Sequence, residues 1–358
     1  FANAPRHDHF KISSLNVLIK PIENLSRKFV KHPFVPASIK EFDSRAQEIL
    51  NIQSTGLARR MISAHTEKLI IGLSGGLDST LAFLVCLETL KSQAVEQQNL
   101  IAITLPGPGT SEHTLQSVHE LTESVDVKVR EIKIHTAVEQ HLRDIEHSGN
   151  TDTVFENAQA RERTQVLFDL ANQEAGIVVG TGDLSELALG WCTFNADQMS
   201  NYNVNVSVPK TMIIYLVEWY AKHKASKNLA LALKRVIDTP ISPELIPPEQ
   251  GEIQQKTEEV IGPYELHDFF IYHFLRNGSS PTKIFHLANL AYKERYSQKE
   301  IQKWLKLFFE RFFSQQFKRT TLPPGPKIGS VSLSPRGDWR MPDEASATIY
   351  TKEIEALI

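Results

Sequence analysis

Leu69-Ile-Ile-Gly-Leu-Ser-Gly-Gly-Leu-Asp-Ser-Thr-Leu-Ala-Phe-Leu-Val85 is the stretch on which the fold turns. Leu69 to Leu73 is an apolar run with the length of a buried parallel strand. Ser74, Gly75 and Gly76 break it, and Asp78 opens a periodic helix through Leu81, Leu84 and Val85. A strand, a glycine turn and a helix start, in that order, predict an anion site. Unpaired backbone N–H groups and the positive end of the helix dipole meet at the turn. The two glycines let the backbone approach a phosphate closely. Ser74 and Ser79 add hydroxyl donors, and Asp78 suits the magnesium that accompanies a polyphosphate. The same residues also fit an ordinary α/β turn in which Asp78 complements the helix dipole.

Outward from this stretch the chain alternates strands with helices. Residues 99–106, 127–134 and 176–180 read as strands, and 111–124 and 156–174 as helices, with Ser111 near an N-cap. That alternation predicts an α/β fold with a doubly wound parallel sheet. Ligands in such sheets lie at the carboxyl ends of the strands, where Ser74 to Ser79 and Thr181 to Glu186 are expected together. Residues 38–64 carry a helical pattern leading into the central strand. From Val208 onward helices dominate, at 211–222, 229–236, 264–276, 280–291 and 297–313, so a helical C-terminal part is expected. Residues 238–263 and 322–340 are rich in proline and read as long loops.

Composition bounds the class. The chain has 358 residues, room for a large core. It is 41% hydrophobic and 23% charged with a net charge of -3, a balance without the basic excess of a general nucleic-acid binder. The two cysteines, Cys86 and Cys192, have no metal spacing and suggest a reducing, cytoplasmic setting. No apolar run approaches the roughly 20 residues that span a membrane. His7 and His9 read as solvated residues of a polar tail.

No G-x-x-x-x-G-K-[ST] phosphate loop and no G-x-G-x-x-G occurs. Ser-Gly-Gly-Leu-Asp-Ser instead resembles the pyrophosphate loop of the ATP-pyrophosphatase superfamily, whose members cut ATP between the α and β phosphates and adenylate an acceptor. A second strand end and helix start, Gly180-Thr-Gly-Asp-Leu-Ser-Glu186, allows two readings. Asp183 and Glu186 stand at capping-box spacing, or Thr181 meets ATP and Glu186 meets magnesium.

A longer block bears on that choice. Gly180 to Asn195, Asp197-Gln-Met-Ser-Asn-Tyr-Asn-Val-Asn205 and Ser207-Val-Pro-Lys-Thr211 closely resemble the synthetase domain of the glutamine-dependent NAD synthetases. So do Asn51-Ile-Gln53, Asn157-Ala-Gln-Ala-Arg-Glu-Arg163, Ile261-Gly-Pro-Tyr-Glu-Leu-His-Asp-Phe-Phe270, Gln316-Phe-Lys-Arg319 and Ser334-Pro-Arg-Gly-Asp-Trp-Arg340. The resemblance runs from about residue 35 to 345. It implies an adenine nucleotide α-hydrolase-like fold and conversion of nicotinic acid adenine dinucleotide (deamido-NAD) to NAD. ATP adenylates the nicotinate carboxylate and releases pyrophosphate; ammonia then displaces AMP. A carboxylate does not accept ammonia at neutral pH without a better leaving group, so catalysis rests on charge stabilisation and positioning.

Residue by residue, the resemblance implies ATP binding by Ser74, Gly75, Gly76, Asp78, Ser79, Thr181 and Lys210, with magnesium on Asp78 and Glu186. Asp78, Glu186 and Lys210 are the expected catalytic set. Asn157, Arg161, Glu186, Trp191 and Lys318 are expected at the deamido-NAD. Read as residues alone, Asn157 and Arg161 equally suit a solvated helix face, Trp191 a core position, and Lys210 a surface lysine opening a helix, although a cation there opposes the dipole. Arg319 reads as solvent-facing or at an interface, and His267 and His273 as structural. Ile213, Leu216, Val217 and Tyr220 form an apolar stripe that suits either core or interface. The family also implies a homodimer or larger homo-oligomer and an N-terminal glutaminase domain. Residues 1–35 then read as a linker or wrapping segment trailing from that domain, 36–345 as the synthetase domain, and 346–358 as a C-terminal tail. Such a chain is expected to use free ammonia and ignore glutamine. Two other readings stay open: a different adenylating pyrophosphate-loop ligase, and a nucleotide-binding domain inactive without its glutaminase partner.

Overall fold

The computed structural model describes residues 13–15, 27–36, 38–239 and 257–358. Five strands form one sheet in the order β3-β2-β1-β4-β5, with every neighbouring pair parallel. They are β1 (Leu69–Gly72), β2 (Leu100–Thr104), β3 (Val129–Glu131), β4 (Ile177–Gly180) and β5 (Tyr202–Asn203). Leu69 pairs with Leu100 on one side and Ile177 on the other. The strand order therefore reverses between β1 and β4, and the crevice at that reversal is where an open α/β sheet binds ligands. β3 is shorter than the expected 127–134. Beyond its ladder, Ile132 and Ile134 still donate to the carbonyls of Thr104 and Pro106.

Helices cover both faces because the strand side chains alternate between two cores. Leu69, Ile71, Leu100, Ala102, Ile177 and Val179 pack with α1 (Ile39–Ser63), α2 (Leu77–Ser92), α3 (Glu112–Glu123), α7 (Lys210–His223) and α8 (Lys227–Asp238). Ile70, Ile103 and Val178 face α4 (His135–Asp144) and α5 (Thr153–Gln173). The stripe Ile213, Leu216, Val217 and Tyr220 lies in the first of these cores, which settles its role as intramolecular packing.

A third core holds the helical C-terminal part: α6 (Leu184–Leu189), α10 (Tyr264–Ile271), α11 (Pro281–Ala291), α12 (Gln298–Ser314) and α14 (Thr348–Glu355), with α9 (Thr257–Ile261) and α13 (Gln316–Thr320) at its edges. Aromatic residues dominate it; Phe274, Phe308, Phe309 and Phe312 meet edge to face or tilted. α12 starts on the capping box Ser297/Glu300. The expected helix 264–276 divides into α10 and a π-helical turn at Tyr272–Arg276.

Two expectations need correction. Residues 346–358 are not a tail: α14 buries Ile354 completely and stacks Tyr350 on Phe309, with ring centroids 4.9 Å apart. The expected loop 238–263 has helical residues at both described ends, Asp238 closing α8 and Thr257–Ile261 forming α9; residues 240–256 lie outside the described set. Of the segment read as linker or wrapping, residues 27–35 pack on the domain. His32 lies 3.2 Å from both Tyr215 Oη and Glu265 Oε2, and Tyr292 Oη donates to the Lys31 carbonyl. The rest of residues 1–26, His7 and His9 included, lies largely outside the described residues. Residues 322–340 do lack helix and strand, yet Leu322, Ile328, Val331 and Leu333 are buried and Asn203 donates to the Pro324 carbonyl.

His267 bears out its structural reading and supplies a pH dependence. Nε2 lies 2.7 Å from the Ile261 carbonyl, while Nδ1 is buried with no hydrogen-bond partner. Protonation would place an unsatisfied N–H in the core, and burial holds the imidazole down at about 4. The unfolded chain binds that proton near pH 6.5, so the neutral ring's contribution is complete above 6.5 and lost as pH falls toward 4. The difference corresponds to about 3 kcal/mol. Denaturant titrations of wild type and His267→Gln at pH 7 and 4.5 are expected to show a smaller acid loss in the variant. Equal losses would exclude His267 as the source.

Candidate active site

The turns after β1 and β4 lie side by side at the strand reversal, and between them opens a cavity of about 900 Å³. Its wall includes Ser74, Gly75, Gly76, Asp78, Ser79 and Thr181, all expected from the sequence. α2 begins at Leu77 with Gly76 as a cap that offers no side-chain bond, so the first N–H groups of the helix remain for a ligand. Ser74 Oγ and Ser79 Oγ stand 3.2 Å apart and share a hydrogen bond across the turn. Gly75 has φ of 75°, and a Cβ there would come within 2.8 Å of the Thr114 carbonyl oxygen. The turn thus requires glycine twice over, for its backbone angle and for its approach to α3.

Lys210 sits in the back of this cavity and is only 2% exposed. Its Nζ lies 2.7 Å from Asp78 Oδ2, 2.8 Å from Glu186 Oε1 and 2.8 Å from Asp183 Oδ2. The contacts to Asp78 and Glu186 are hydrogen bonds; the Asp183 oxygen is paired by charge, outside hydrogen-bond geometry. The surface-lysine reading of Lys210 is therefore excluded. Burial alone would lower its ammonium, but the three carboxylates together raise it well above its ordinary value. Burial pushes the Asp78 and Asp183 carboxyls up to about 6, against the pull of Lys210, and Glu186 moves the same way for the same reason.

Asp183, which the sequence reading gives only as a cap, joins the cluster around Lys210. It does cap α6, accepting the N–H groups of Ser185 and Glu186. The capping box is not closed, however, because Glu186 turns its carboxylate to Lys210 instead of back to the cap. Carboxylate oxygens of Asp78, Asp183 and Glu186 all lie within 4.8 Å of one another. Asp78 Oδ1 is buried without a hydrogen-bond partner, and three carboxylates around one ammonium leave an excess of negative charge. An all-oxygen, net-negative donor set fits a hard divalent cation such as Mg²⁺.

The remaining expected residues line the same cavity. Asn157 and Arg161 line it from α5, Trp191 from the segment after α6 and Lys318 from α13; Phe194, which the sequence did not single out, joins them. Asn157 Oδ1 accepts from Thr193 Oγ1 at 2.8 Å, tying α5 to the Trp191 turn. Lys318 Nζ donates to the carbonyls of Gly190 and Cys192. The Arg311 guanidinium lies 5.2 Å from the Trp191 ring centroid and bonds the Leu189 and Gly190 carbonyls. Of two further cavity residues, Asp197 opens a matched motif without a role of its own in the sequence reading, and Arg311 carries no signal beyond its helix.

Arg319 corrects its expected place at solvent or an interface: it is 1% exposed. Its guanidinium donates to the Leu187, Ala188 and Phe312 carbonyls and to Gln316 Oε1, and packs over the Phe312 ring. Together Arg311, Lys318 and Arg319 satisfy the carbonyl end of α6, the helix that carries Glu186. A helix of six residues has few internal bonds, so its orientation depends on such external partners.

The parallel sheet, its reversal at β1 and β4, and the glycine turn between β1 and α2 define an α/β fold of the adenine nucleotide α-hydrolase type. The fold agrees with solved glutamine-dependent NAD(+) synthetases. One from Cytophaga hutchinsonii superposes with a TM-score of 0.69 at 18% identity, over 87% of this chain and 56% of that one. One from Acinetobacter baumannii, solved with ADP, gives 0.50 at 21% identity, over 84% and 49%. In sequence, residues 49–319 match the NAD synthase family model. The glutamine-dependent NAD(+) synthetase of Mycobacterium leprae is 41% identical over 94% of this chain, and that of Mycobacterium tuberculosis H37Rv 41% over 92%. The chain belongs to the NAD synthase family. It spans about half the length of these relatives, 53% and 52%.

Proposed function

We propose that the chain amidates deamido-NAD to NAD at the expense of ATP, through an adenylated nicotinate, releasing AMP and pyrophosphate. The observation that carries this reading is the Lys210 ammonium, buried among Asp78, Asp183 and Glu186 beside a glycine turn with free helix N–H groups. In the first step a nicotinate carboxylate oxygen bonds to the α-phosphorus, the α–β P–O bond breaks, and pyrophosphate leaves. In the second, the nitrogen of ammonia bonds to the activated carbonyl carbon, loses a proton, and AMP leaves with the electron pair of the broken C–O bond.

Each part of the site has a task in that sequence. The N–H groups after Gly75 and Gly76, with Ser74 and Ser79, cradle the phosphates that depart. Thr181 lies across the cavity on the ATP side. Asp78, Asp183 and Glu186 would hold Mg²⁺, which neutralises charge on the departing pyrophosphate. Lys210 supplies a fixed positive charge where negative charge grows on the bridging oxygen. Asn157, Arg161, Trp191 and Lys318 line the same cavity and suit the dinucleotide: Arg161 makes no ion pair among the described residues, and Trp191 offers a ring face. The expectations of a homo-oligomer, of a cytoplasmic place and of an N-terminal glutaminase partner rest on the family resemblance.

The test is formation of AMP and NAD from deamido-NAD, ATP, magnesium and ammonium, beside a sample in which glutamine replaces ammonium. Product with ammonium is expected. AMP release indifferent to deamido-NAD would overturn the substrate, and equal product from glutamine would overturn ammonia as the chain's own nitrogen donor. Another pyrophosphate-loop ligase reading loses ground to the block around Trp191 and Lys210, which the family match at residues 49–319 includes.

A further inference from the structure

Asp268 lines no part of the cavity, yet it is a fully buried carboxylate whose hydrogen bonds all lead to the two helix starts that bear Glu186 and Lys210. Ser185 Oγ donates to its Oδ1. Thr211 donates to its Oδ2 twice, from the backbone N–H at 2.9 Å and from the hydroxyl at 2.6 Å. Ser185 Oγ in turn accepts the Lys210 N–H at 2.8 Å. Beside this, the Leu184 N–H donates to the Val208 carbonyl at 2.9 Å. The polar contacts close a ring from Asp268 through Ser185, Lys210 and Thr211 back to Asp268.

The ring explains how a carboxylate can be buried here without a cation in contact. It lies between the positive ends of two helices and accepts bonds from their first residues. α10 also brings a second contact to the same lysine. Tyr264, one turn before Asp268 and on the same helix face, places its ring centroid 5.2 Å from Lys210 Nζ. The Tyr264 hydroxyl is buried without a hydrogen-bond partner, so its ring is what it offers the site. A lysine has a flexible four-carbon stem. A fixed backbone at one end and an aromatic wall beside the ammonium narrow where Nζ can sit.

We propose that Asp268 is a positioning residue: it clasps the starts of α6 and α7 so that Lys210 Nζ and the Glu186 carboxylate stay in register at the phosphate end of the cavity. The proposal rests on the ATP-dependent reading above for its functional consequence, and on the bond ring alone for its geometry. A buried aspartate that merely stabilised two helix starts would lower folding stability without acting through Lys210. The two roles separate in a double-variant cycle.

The experiment uses the full chain with Asp268→Asn, Lys210→Met and the pair combined. Asp268→Asn is expected to lower kcat for deamido-NAD-dependent AMP release by roughly 10- to 100-fold, the scale of a misplacement near 1 Å. KM for deamido-NAD is expected to stay within about threefold, and the loss to shrink markedly in the Lys210→Met background, leaving only the part that acts through Glu186. Full activity, or independent losses that multiply in the pair, would overturn the proposal. A crystal structure of Asp268→Asn is expected to show Nζ withdrawn from Asp78 or Glu186, and an unmoved Nζ overturns the clasp. Should Asp268→Asn not fold, Ser185→Ala opens the same ring at an uncharged link, with the same expected pattern and the same overturning results. If wild type releases no AMP from deamido-NAD and ATP, the functional reading fails, while the position of Nζ in the variant structures still decides the clasp.

Discussion

Lys210→Met is expected to lower ATP-dependent AMP formation by about 10³-fold, the effect of removing one preorganised charge donor from a developing anion. Methionine keeps the length and apolar stem of the lysine and removes only the ammonium. The size of the effect follows from place. Nζ is within 2.8 Å of three carboxylates and shut off from bulk water, so its field is little screened and no solvent ion can replace it. Deamido-NAD affinity is expected to change far less, because no hydrogen bond or ion pair among the described residues joins Lys210 Nζ to Asn157, Arg161 or Trp191. Lys210→Arg should not restore the rate, since a planar fork cannot occupy a point held on three sides. The same change also removes the counter-charge of three acids. Breaking a buried pair in this way costs about 3–5 kcal/mol. Asp78 and Glu186 keep 24% and 23% of their exposure, which argues for the lower end. Single-turnover AMP release and denaturant unfolding together check both parts; activity within tenfold of wild type would remove Lys210 from the phosphate chemistry.

Arg319→Met is expected to destabilise the fold by about 3 kcal/mol, through the desolvation penalty of carbonyls left without a donor. Two effects oppose one another here. Burying a guanidinium without a carboxylate is costly, and burial drops it to about 9 from its ordinary range, so its removal relieves part of that cost. Against this, the Leu187, Ala188 and Phe312 carbonyls would lose their side-chain donor inside a sealed core. Two orphaned acceptors, with the Leu187 carbonyl left only a 3.4 Å bond from the Gly190 N–H, outweigh one relieved cation. Arg319→Lys keeps the charge but cannot reach all three carbonyls in the geometry of a fork, so it should recover only part of the loss. Because α6 carries Glu186, activity should fall before the fold does. A denaturation midpoint for Arg319→Met equal to that of wild type would show that water or a shifted side chain satisfies those carbonyls.

Much of the architecture was legible because local patterns and tertiary demands coincide in the sheet. Leu69–Gly72, Leu100–Thr104 and Ile177–Gly180 are apolar on both faces, which only a parallel strand between two helix layers requires. Edge elements were less legible. Val129–Glu131 is polar and part-exposed, and Tyr202–Asn203 is two residues long, too short for periodicity to register. α14 escaped notice because only Ile354 is fully buried in it, with Tyr350 as its aromatic anchor.

In the candidate site the difference lies between residues that a motif displays and residues that geometry recruits. Ser74 to Ser79 are legible by themselves as a candidate anion-binding turn, because glycine torsions, hydroxyls and free N–H groups are consecutive in the chain. Thr181, Glu186 and Lys210 were legible through longer motifs. That Lys210 is buried, that Asp183 joins it as well as capping α6, and that Arg319 is sealed in the core were decided only by the tertiary structure. A charged side chain's environment depends on what lies opposite it, and here those groups are contributed from α2, α6, α7, α10 and α12, up to 132 residues apart in sequence. Sequence determines which charges a chain carries and which backbone turns it can make. Only folding sets the distance between charges, and Coulomb energy depends on that distance and on the water excluded from it.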